Sequence, residues 1–178
     1  MQGNGASPAG WAVISITILH AHKKGGHGAT FACPISGKLK KIAGVLYVDD
    51  NDLLHLNLDE EETVIEAHAA LCASVACWSQ LLVATGGSLK PDKCFFHLIS
   101  YVWDRNGQWH YEANEAIEEF GVSVYLPDGE QAPIKHLSLD TPKVTLGVSS
   151  CPSGAAAGAL VRMSETVSYT HLTLPTKA

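Results

Sequence analysis

Residues 43–56 read Ala-Gly-Val-Leu-Tyr-Val-Asp-Asp-Asn-Asp-Leu-Leu-His-Leu, two apolar runs, 43–48 and 53–56, separated by acidic residues. Aspartate and asparagine favour turns because their side chains bond to nearby backbone, so we expect a β-hairpin with an acidic tip. Adjacent carboxylates repel each other unless a cation or solvent neutralises them. Asp49 and Asp50 are therefore candidate ligands for Mg²⁺ or Mn²⁺, which prefer oxygen donors. A solvated acidic turn is the alternative interpretation.

Helices are predicted on both sides of this hairpin. Ser7-Pro8 supplies an N-cap and a proline at the first helical position, and Lys23-Lys24-Gly25-Gly26 ends that helix. Beyond the hairpin, Asp59 followed by Glu62 has the spacing of a capping box. The apolar face of the second helix, which ends at Gly86-Gly87, has helical period and consists of Val64, His68, Leu71, Val75, Trp78 and Leu82.

The pattern changes to strands from Cys94 onwards, with many aromatic and β-branched residues. Together with the two helices, these strands predict an α+β fold in which the acidic hairpin packs on two helices and further β-hairpins follow. The predicted segments are a strand over 94–103, a turn over 104–107 with Asn-Gly at its end, a strand over 108–111, a hairpin from 122–126 and 134–137, and a last strand over 143–148.

Length and composition set broad limits. With 178 residues, 46% of them apolar, the chain can bury one substantial core. No run approaches the roughly 20 uninterrupted apolar residues of a membrane span, and the N-terminus lacks a signal-peptide pattern, so we expect an intracellular protein, cytoplasmic or nuclear, without a membrane partner. The net charge of −6 by itself disfavours nucleic-acid binding, although five lysines precede the acidic segment: Lys23, Lys24, Lys38, Lys40 and Lys41.

Cysteine and histidine are the other candidate metal ligands in the sequence. Five cysteines form an odd set without a Cys-x-x-Cys pair, which argues against a disulfide framework and a zinc knuckle and favours reduced, mostly buried thiols. His20, His22 and His27 suggest a metal site. No carboxylate or cysteine completes a recognisable ligand spacing around them, so we interpret them as a polar helix end and loop.

Four motifs, in order over residues 2–154, resemble the reverse transcriptase family. Tyr47-Val48-Asp49-Asp50 matches the family's Tyr-x-Asp-Asp hairpin, and residues 2–8, Gln-Gly-Asn-Gly-Ala-Ser-Pro, match its Gln-Gly-x-x-x-Ser-Pro segment. Residues 86–94, Gly-Gly-Ser-Leu-Lys-Pro-Asp-Lys-Cys, resemble the motif after the palm helix, and residues 145–148, Thr-Leu-Gly-Val, its Leu-Gly strand. The pattern looks closest to reverse transcriptases of non-LTR-type retroelements.

The resemblance implies RNA-directed DNA synthesis, in which a primer 3′-hydroxyl attacks the α-phosphate of a deoxynucleotide while two Mg²⁺ or Mn²⁺ ions hold the reacting oxygens. It assigns Asp49 as the main metal ligand, Asp50 as its neighbour, and Lys93 as the group that neutralises or protonates the leaving pyrophosphate. A solvated lysine is the alternative for Lys93. The remaining implied contacts are Tyr47 at the primer terminus, Gln2, Gly3, Gly5 and Ser7 at nucleotide or template, and Leu146 and Gly147 in the strand that supports the primer.

The sequence also departs from the family. The family carries a further aspartate on a strand before the Gln-Gly segment, together with template-holding fingers and a basic thumb, and these 178 residues contain none of them. We therefore expect this polypeptide to lack polymerase activity. A non-catalytic binding or structural remnant of a retroelement is the alternative. An Asp-dependent phosphohydrolase ranks lower because no nucleophile with Lys and Ser or Thr partners stands in the familiar order.

The expected modules follow from the same resemblance. A partial palm occupies 1–104, and a β-hairpin extension with the primer-supporting strand occupies 105–154. A linker or truncated next element occupies 155–166. Residues 167–178, Val-Ser-Tyr-Thr-His-Leu-Thr-Leu-Pro-Thr-Lys-Ala, resemble a translated transposase sequencing adapter and are left out of the fold prediction.

Overall fold

The computed structural model describes residues 7–47, 50–56, 63–111, 121–126, 128–145, 148–156, 158–161 and 163–164. In this part of the chain helices are mixed with small sheets, which confirms the α+β class. The chain divides into two compact units, Met1–Cys94 with Phe120–Lys135 and Phe95–Glu119 with His136–Ala178. The modules expected from the family resemblance stay predictions.

The first helix, α1, spans Ser7–Lys24, so both its predicted start and its predicted end are confirmed. Cations in its last turn offset the helix dipole. The Gly25 N–H donates to the Ala21 carbonyl at 3.0 Å. Gly26 has φ +94°, in the left-handed region that glycine adopts without steric cost, so the chain turns away from the helix there.

A hairpin that was not predicted follows this helix. Strand β1, Ala29–Ala32, pairs antiparallel with β2, Leu39–Ile42. Gly28 stands before β1 with φ +121°, and a Cβ at this position would lie 2.7 Å from the Ile42 carbonyl oxygen, so only glycine fits. Each strand has four residues, and most of these residues are exposed. An exposed strand does not need alternating apolar and polar residues, which is the pattern on which strand prediction depends.

The acidic hairpin forms, in a register that differs from the expected one. Strand β3, Gly44–Tyr47, pairs antiparallel with β4, Asp50–Leu53. The prediction that the second strand covers 53–56 is wrong, because Tyr47 pairs with Asp50 and the acidic residues belong to the ladder. The acidic side chains of β4 face solvent, so pairing does not bury their charge.

The second helix, α2, spans Val64–Ala84 and ends before the glycine pair, as predicted. Its N-cap is Thr63. The Glu66 N–H donates to Thr63 Oγ at 3.3 Å, and the Thr63 N–H donates to the Glu66 carboxylate at 2.9 Å. The predicted pair, Asp59 and Glu62, lies outside the described residues, and the capping box observed at the start of α2 is formed by Thr63 and Glu66.

The core of the first unit joins the two helices to the acidic hairpin. Ile18 of α1 and Trp78 and Leu82 of α2 form its centre, with 3%, 3% and 7% of their surfaces exposed. Leu46 of β3 and Leu53 of β4 pack against this centre. The β3–β4 hairpin therefore packs on this core. The buried residues of α2 include Val75, Trp78 and Leu82 of its predicted apolar face.

Another predicted hairpin packs beside α2. Strand β8, Val122–Tyr125, pairs antiparallel with β9, Gln131–His136. Val122 and Val124 have 0% and 1% of their surfaces exposed. Ser79 of α2 donates to the carbonyl of the last β8 residue at 3.5 Å, so the strand edge and the helix share a polar contact as well as apolar packing.

The second unit contains short strands. The predicted turn at 104–107 is present, and there Asp104 Oδ1 accepts from the N–H groups of Asn106 and Gln108, both at 2.8 Å. This turn joins two antiparallel strands. The strands, in chain order, are β5 Phe95–Phe96, β6 Tyr101–Trp103, β7 Trp109–Tyr111, β10 Lys143–Thr145 and β11 Val148–Ser150.

Two strand predictions in this unit are wrong. The single strand over 94–103 is instead β5 and β6, because the chain between them bonds through a side chain, with His97 Nδ1 2.9 Å from the Leu137 carbonyl oxygen. The single strand over 143–148 is instead the hairpin β10–β11, in which Thr145 pairs with Val148. A two-residue connection that contains glycine suits such a tight hairpin.

Among the described residues, α2 is long and apolar enough to cross a membrane by length and composition. Core helices of soluble proteins pass the same test. Ser74 and Ser79 are buried on this helix beside Trp78. Length and composition therefore do not assign α2 to a membrane.

Candidate functional sites

The acidic hairpin brings two of the predicted site residues together. Tyr47 and Asp50 are direct partners across the β3–β4 ladder. Successive side chains of a strand point to opposite faces. Asp50 and Asp52 therefore lie on the exposed face of β4, and Leu53 lies on the opposite face, against the core. Asp49 lies outside the described residues. The hairpin thus presents carboxylate oxygens to solvent on a base fixed by the core, which fits a hydrated divalent ion.

The other predicted site residues are spread over separate segments. Lys93 is exposed at the end of a short 3₁₀ turn, Pro91–Lys93, where its N–H donates to the Lys90 carbonyl at 2.9 Å. Ser7 is the first residue of α1. The predicted residues that lie outside the described part of the chain, in addition to Asp49, are Gln2, Gly3, Gly5, Leu146 and Gly147.

A second cluster lies where α1 meets α2. One ligand atom from each of His22, His27 and Cys77 lies within 4.8 Å of the other two. The rings of His22 and His27 stack, with centroids 4.7 Å apart. Trp78 meets the His22 ring edge-on at 5.4 Å. Among the residues that the structure describes, this is the one group of three His, Cys, Asp or Glu side chains with metal-ligand spacing.

The hydrogen bonds of His22 leave one ring nitrogen unused. His22 has 0% of its surface exposed. Its Nε2 lies 3.1 Å from Ser74 Oγ, whereas its Nδ1 is buried without a hydrogen-bond partner. A buried polar atom without a partner costs about 1–3 kcal/mol. Cys77 stands three positions after Ser74 on α2, on the same helix face.

The electrostatics of this cluster favour neutral side chains. Burial, then the charges of His27 and Lys41, lower the pKa of His22 to about 4. Burial and the charges of Lys41 and His55 lower the pKa of His27, and burial raises the pKa of the Cys77 thiol. Lys41 is held here by a hydrogen bond from its ammonium to the Gly26 carbonyl. At neutral pH the imidazoles therefore have free lone pairs.

The histidine interpretation made from sequence is corrected by this geometry. His20 is exposed on the helix end as expected, but His22 is fully buried. Cys77 completes the group from a distant point of the chain, which local ligand spacing could not reveal. All five cysteines are free, as expected, and each is half-buried.

A second His–Cys pair on α2 is bonded differently. His68 Nε2 lies 2.9 Å from the Gly121 carbonyl oxygen and 3.4 Å from Cys72 Sγ. The carbonyl accepts from this ring nitrogen, which is therefore protonated and unable to bind a metal. Burial raises the pKa of Cys72, as it does for Cys77.

No family model, no curated protein and no solved structure matches the chain.

Proposed function

We propose that the chain is part of the palm of an RNA-directed DNA polymerase, the enzyme that extends a DNA primer with deoxynucleotides on an RNA template. The observation that carries the proposal is the β3–β4 hairpin, in which Tyr47 pairs with Asp50 at an exposed end while Leu46 and Leu53 pack on the helical core. The family's sequence pattern requires such a hairpin with apolar strands. The order of the other three motifs supports the same proposal.

The donors on this hairpin suit the metal that the reaction needs. Asp49 and Asp50 supply oxygen ligands, and a hydrated Mg²⁺ or Mn²⁺ takes its other ligands from water and substrate phosphates. When bound, such ions polarise the phosphate and hold the attacking and leaving oxygens. The role of the chain is to fix the two carboxylates on a hairpin whose base is packed. In the proposal Lys93 contacts the leaving pyrophosphate.

Nucleic-acid partners require cations, and the first unit provides them locally. Lys23 and Lys24 are exposed in the last turn of α1. Lys41 on β2 bonds to the Gly26 carbonyl, which brings that strand to the end of α1. Lys38 and Lys40 are exposed on the same hairpin. Phosphate contacts by such a group would make binding fall steeply with salt, despite the net charge of −6.

Primer extension tests the proposal. The protein read from the uninterrupted upstream coding sequence should contain the family's further aspartate, and it should extend a DNA primer on an RNA template. In that protein Asp49→Asn should reduce extension to background, because the main metal ligand is lost. Asp140→Asn, the same charge change at an exposed turn of the second unit, should leave extension unchanged. Retained extension in Asp49→Asn would refute the metal assignment.

Calorimetry on the 178-residue chain distinguishes the proposal from the alternative, a non-catalytic remnant. The proposal expects weak, saturable Mn²⁺ binding that both Asp49→Ala and Asp50→Asn reduce and Asp140→Asn does not. In the remnant, the acidic tip is only solvated, and neither hairpin variant changes the titration. The chain alone is expected not to extend a primer in either case, because the third family carboxylate is not among its residues.

A further inference from the structure

We propose that His22, His27 and Cys77 form a binding site for Zn²⁺, or a similar borderline-soft divalent ion, at the junction of α1 and α2. This site is separate from the acidic hairpin and does not depend on the polymerase assignment. Two imidazole nitrogens and one thiolate are a donor set that zinc prefers. The fourth position of a tetrahedral ion would hold water.

The unused ring nitrogen of His22 is the observation that requires a ligand. His22 is completely buried, its Nε2–H is placed to donate to Ser74 Oγ at 3.1 Å, and its Nδ1 has no partner. Metal-bound histidines commonly donate their other ring N–H to an oxygen, which fixes the ring and its tautomer. Ser74 does this for His22. Nδ1 is then the atom that binds the ion, through its lone pair.

The distances require only a small adjustment. In a tetrahedral zinc site with bonds of about 2.1 Å to nitrogen and 2.3 Å to sulfur, the ligand atoms are roughly 3.4–3.8 Å apart. In the structure, one ring nitrogen of each histidine and the Cys77 sulfur lie within 4.8 Å of one another. His27 stands in the loop after α1, between Gly26 and Gly28, and rotation about its side-chain torsions can close this gap.

Glycine also makes room for the cluster. A Cβ on Gly25 would lie 3.3 Å from His27 Cδ2 and 3.6 Å from Cys77 Sγ. The chain therefore leaves this side of the cluster without a side chain.

Charge is the opposing factor. Lys41 and His55 act on these rings through their charges, and a cation nearby weakens the binding of a dication. The Cys77 thiolate compensates. Each ion bound removes the proton of the Cys77 thiol, which passes to the buffer as the metal–sulfur bond forms.

Metal titration of the reduced, chelator-stripped 178-residue chain tests the site. We expect one Zn²⁺ per chain by competition with a chromophoric chelator. Co²⁺ should give the visible bands of a tetrahedral ion and a thiolate-to-cobalt charge-transfer band. Cys77→Ala should remove the charge-transfer band, and His27→Gln should weaken binding more than Ser74→Ala, for which we expect a loss of about 10–100-fold.

Two matched variants keep the test specific. Cys72→Ala removes another half-buried thiol of α2, and His20→Gln removes an exposed imidazole of α1. Both should keep the full cobalt spectrum, as should Asp50→Asn, and far-ultraviolet circular dichroism should show that each variant is folded without metal. Absence of stoichiometric binding in the parent chain, or loss of the charge-transfer band in Cys72→Ala but not in Cys77→Ala, would overturn the proposal.

Discussion

The acidic hairpin and the histidine–cysteine cluster are two candidate metal sites in one unit, built in opposite ways. On the hairpin, Asp49 and Asp50 are neighbours in sequence, and the described carboxylate is exposed. In the cluster, the donors come from α1, the following loop and α2, and His22 is completely buried. Oxygen donors in solvent suit Mg²⁺, whereas nitrogen and sulfur donors in a core suit Zn²⁺.

The two sites differ in what holds their ligands in position. A hairpin fixes neighbouring residues by turn chemistry and strand pairing. A cluster assembled from two helices exists only while the helices are packed, so its metal affinity is coupled to the stability of the core. Because Leu46 and Leu53 also pack on this core, a change to the core should act on both sites, whereas a change to the strand pairing should act mainly on the hairpin.

Trp78→Ala should have the largest effect. Trp78 is 3% exposed, sits at the centre of the core and contacts the His22 ring. Removing a buried indole costs about 3–5 kcal/mol, a large part of the stability of a small domain. Urea unfolding followed by circular dichroism should show this loss, and the cobalt spectrum should disappear with it.

The control for this change is Trp103→Ala. Trp103 is 71% exposed on β6, so its removal should change the free energy of unfolding by less than about 0.5 kcal/mol. Equal losses for the two tryptophans would contradict the assignment of the core.

Sequence predicted what depends on neighbouring residues. The limits of α1, the apolar face and end of α2, and the turn at 104–107 all rest on capping residues, helical period or turn chemistry within a few positions. What failed needed distant information. The β3–β4 register depends on which backbone groups meet, and the unpredicted strand β1 pairs with β2 without any apolar alternation.

The candidate sites follow the same division. The Tyr47–Asp50 segment was visible in sequence because its residues are contiguous. Local spacing around His22 and His27 does not indicate a metal site, because their third partner, Cys77, lies on another helix. The sequence does not indicate that Ser74 bonds to a histidine. A serine within an apolar helix face shows this role only in the structure, where the His22 ring lies against it.

Gly44→Ala should affect the hairpin and spare the cluster. A Cβ on Gly44 would lie 2.5 Å from the Asp52 carbonyl oxygen, so the two strands must move apart. We expect a loss of about 1–3 kcal/mol in the free energy of unfolding and weaker Mn²⁺ binding, with the cobalt spectrum retained. Gly10→Ala is the matched control, because nothing lies within 4 Å of the added carbon in α1. A cobalt spectrum that weakens in Gly44→Ala would mean that the sites are not separable.

Thr63→Ala should have a smaller effect, on the start of α2. The Thr63 side chain accepts from the Glu66 N–H, and losing such an N-cap costs about 1 kcal/mol in the free energy of unfolding. Thr17→Ala, an exposed threonine within α1 whose hydroxyl bonds the Val13 carbonyl at 2.8 Å, should be neutral or slightly stabilising, because alanine is the better helix former. The urea midpoints of the two variants measure these changes in stability. A larger loss in Thr17→Ala would contradict the observed cap.

The pH dependence of this cap is the smallest expected effect. Hydrogen bonds from the Thr63 N–H and hydroxyl lower the pKa of Glu66 below its ordinary value of 4.5. Between the two pKa values the unfolded chain binds more protons, so stability rises with pH. The contribution of Glu66 is therefore complete above about pH 4.5 and is lost as the pH falls through the lower, folded value. The urea midpoint of the parent minus that of Glu66→Gln should shrink on acidification, and a difference that grows instead would show that the carboxylate does not cap α2.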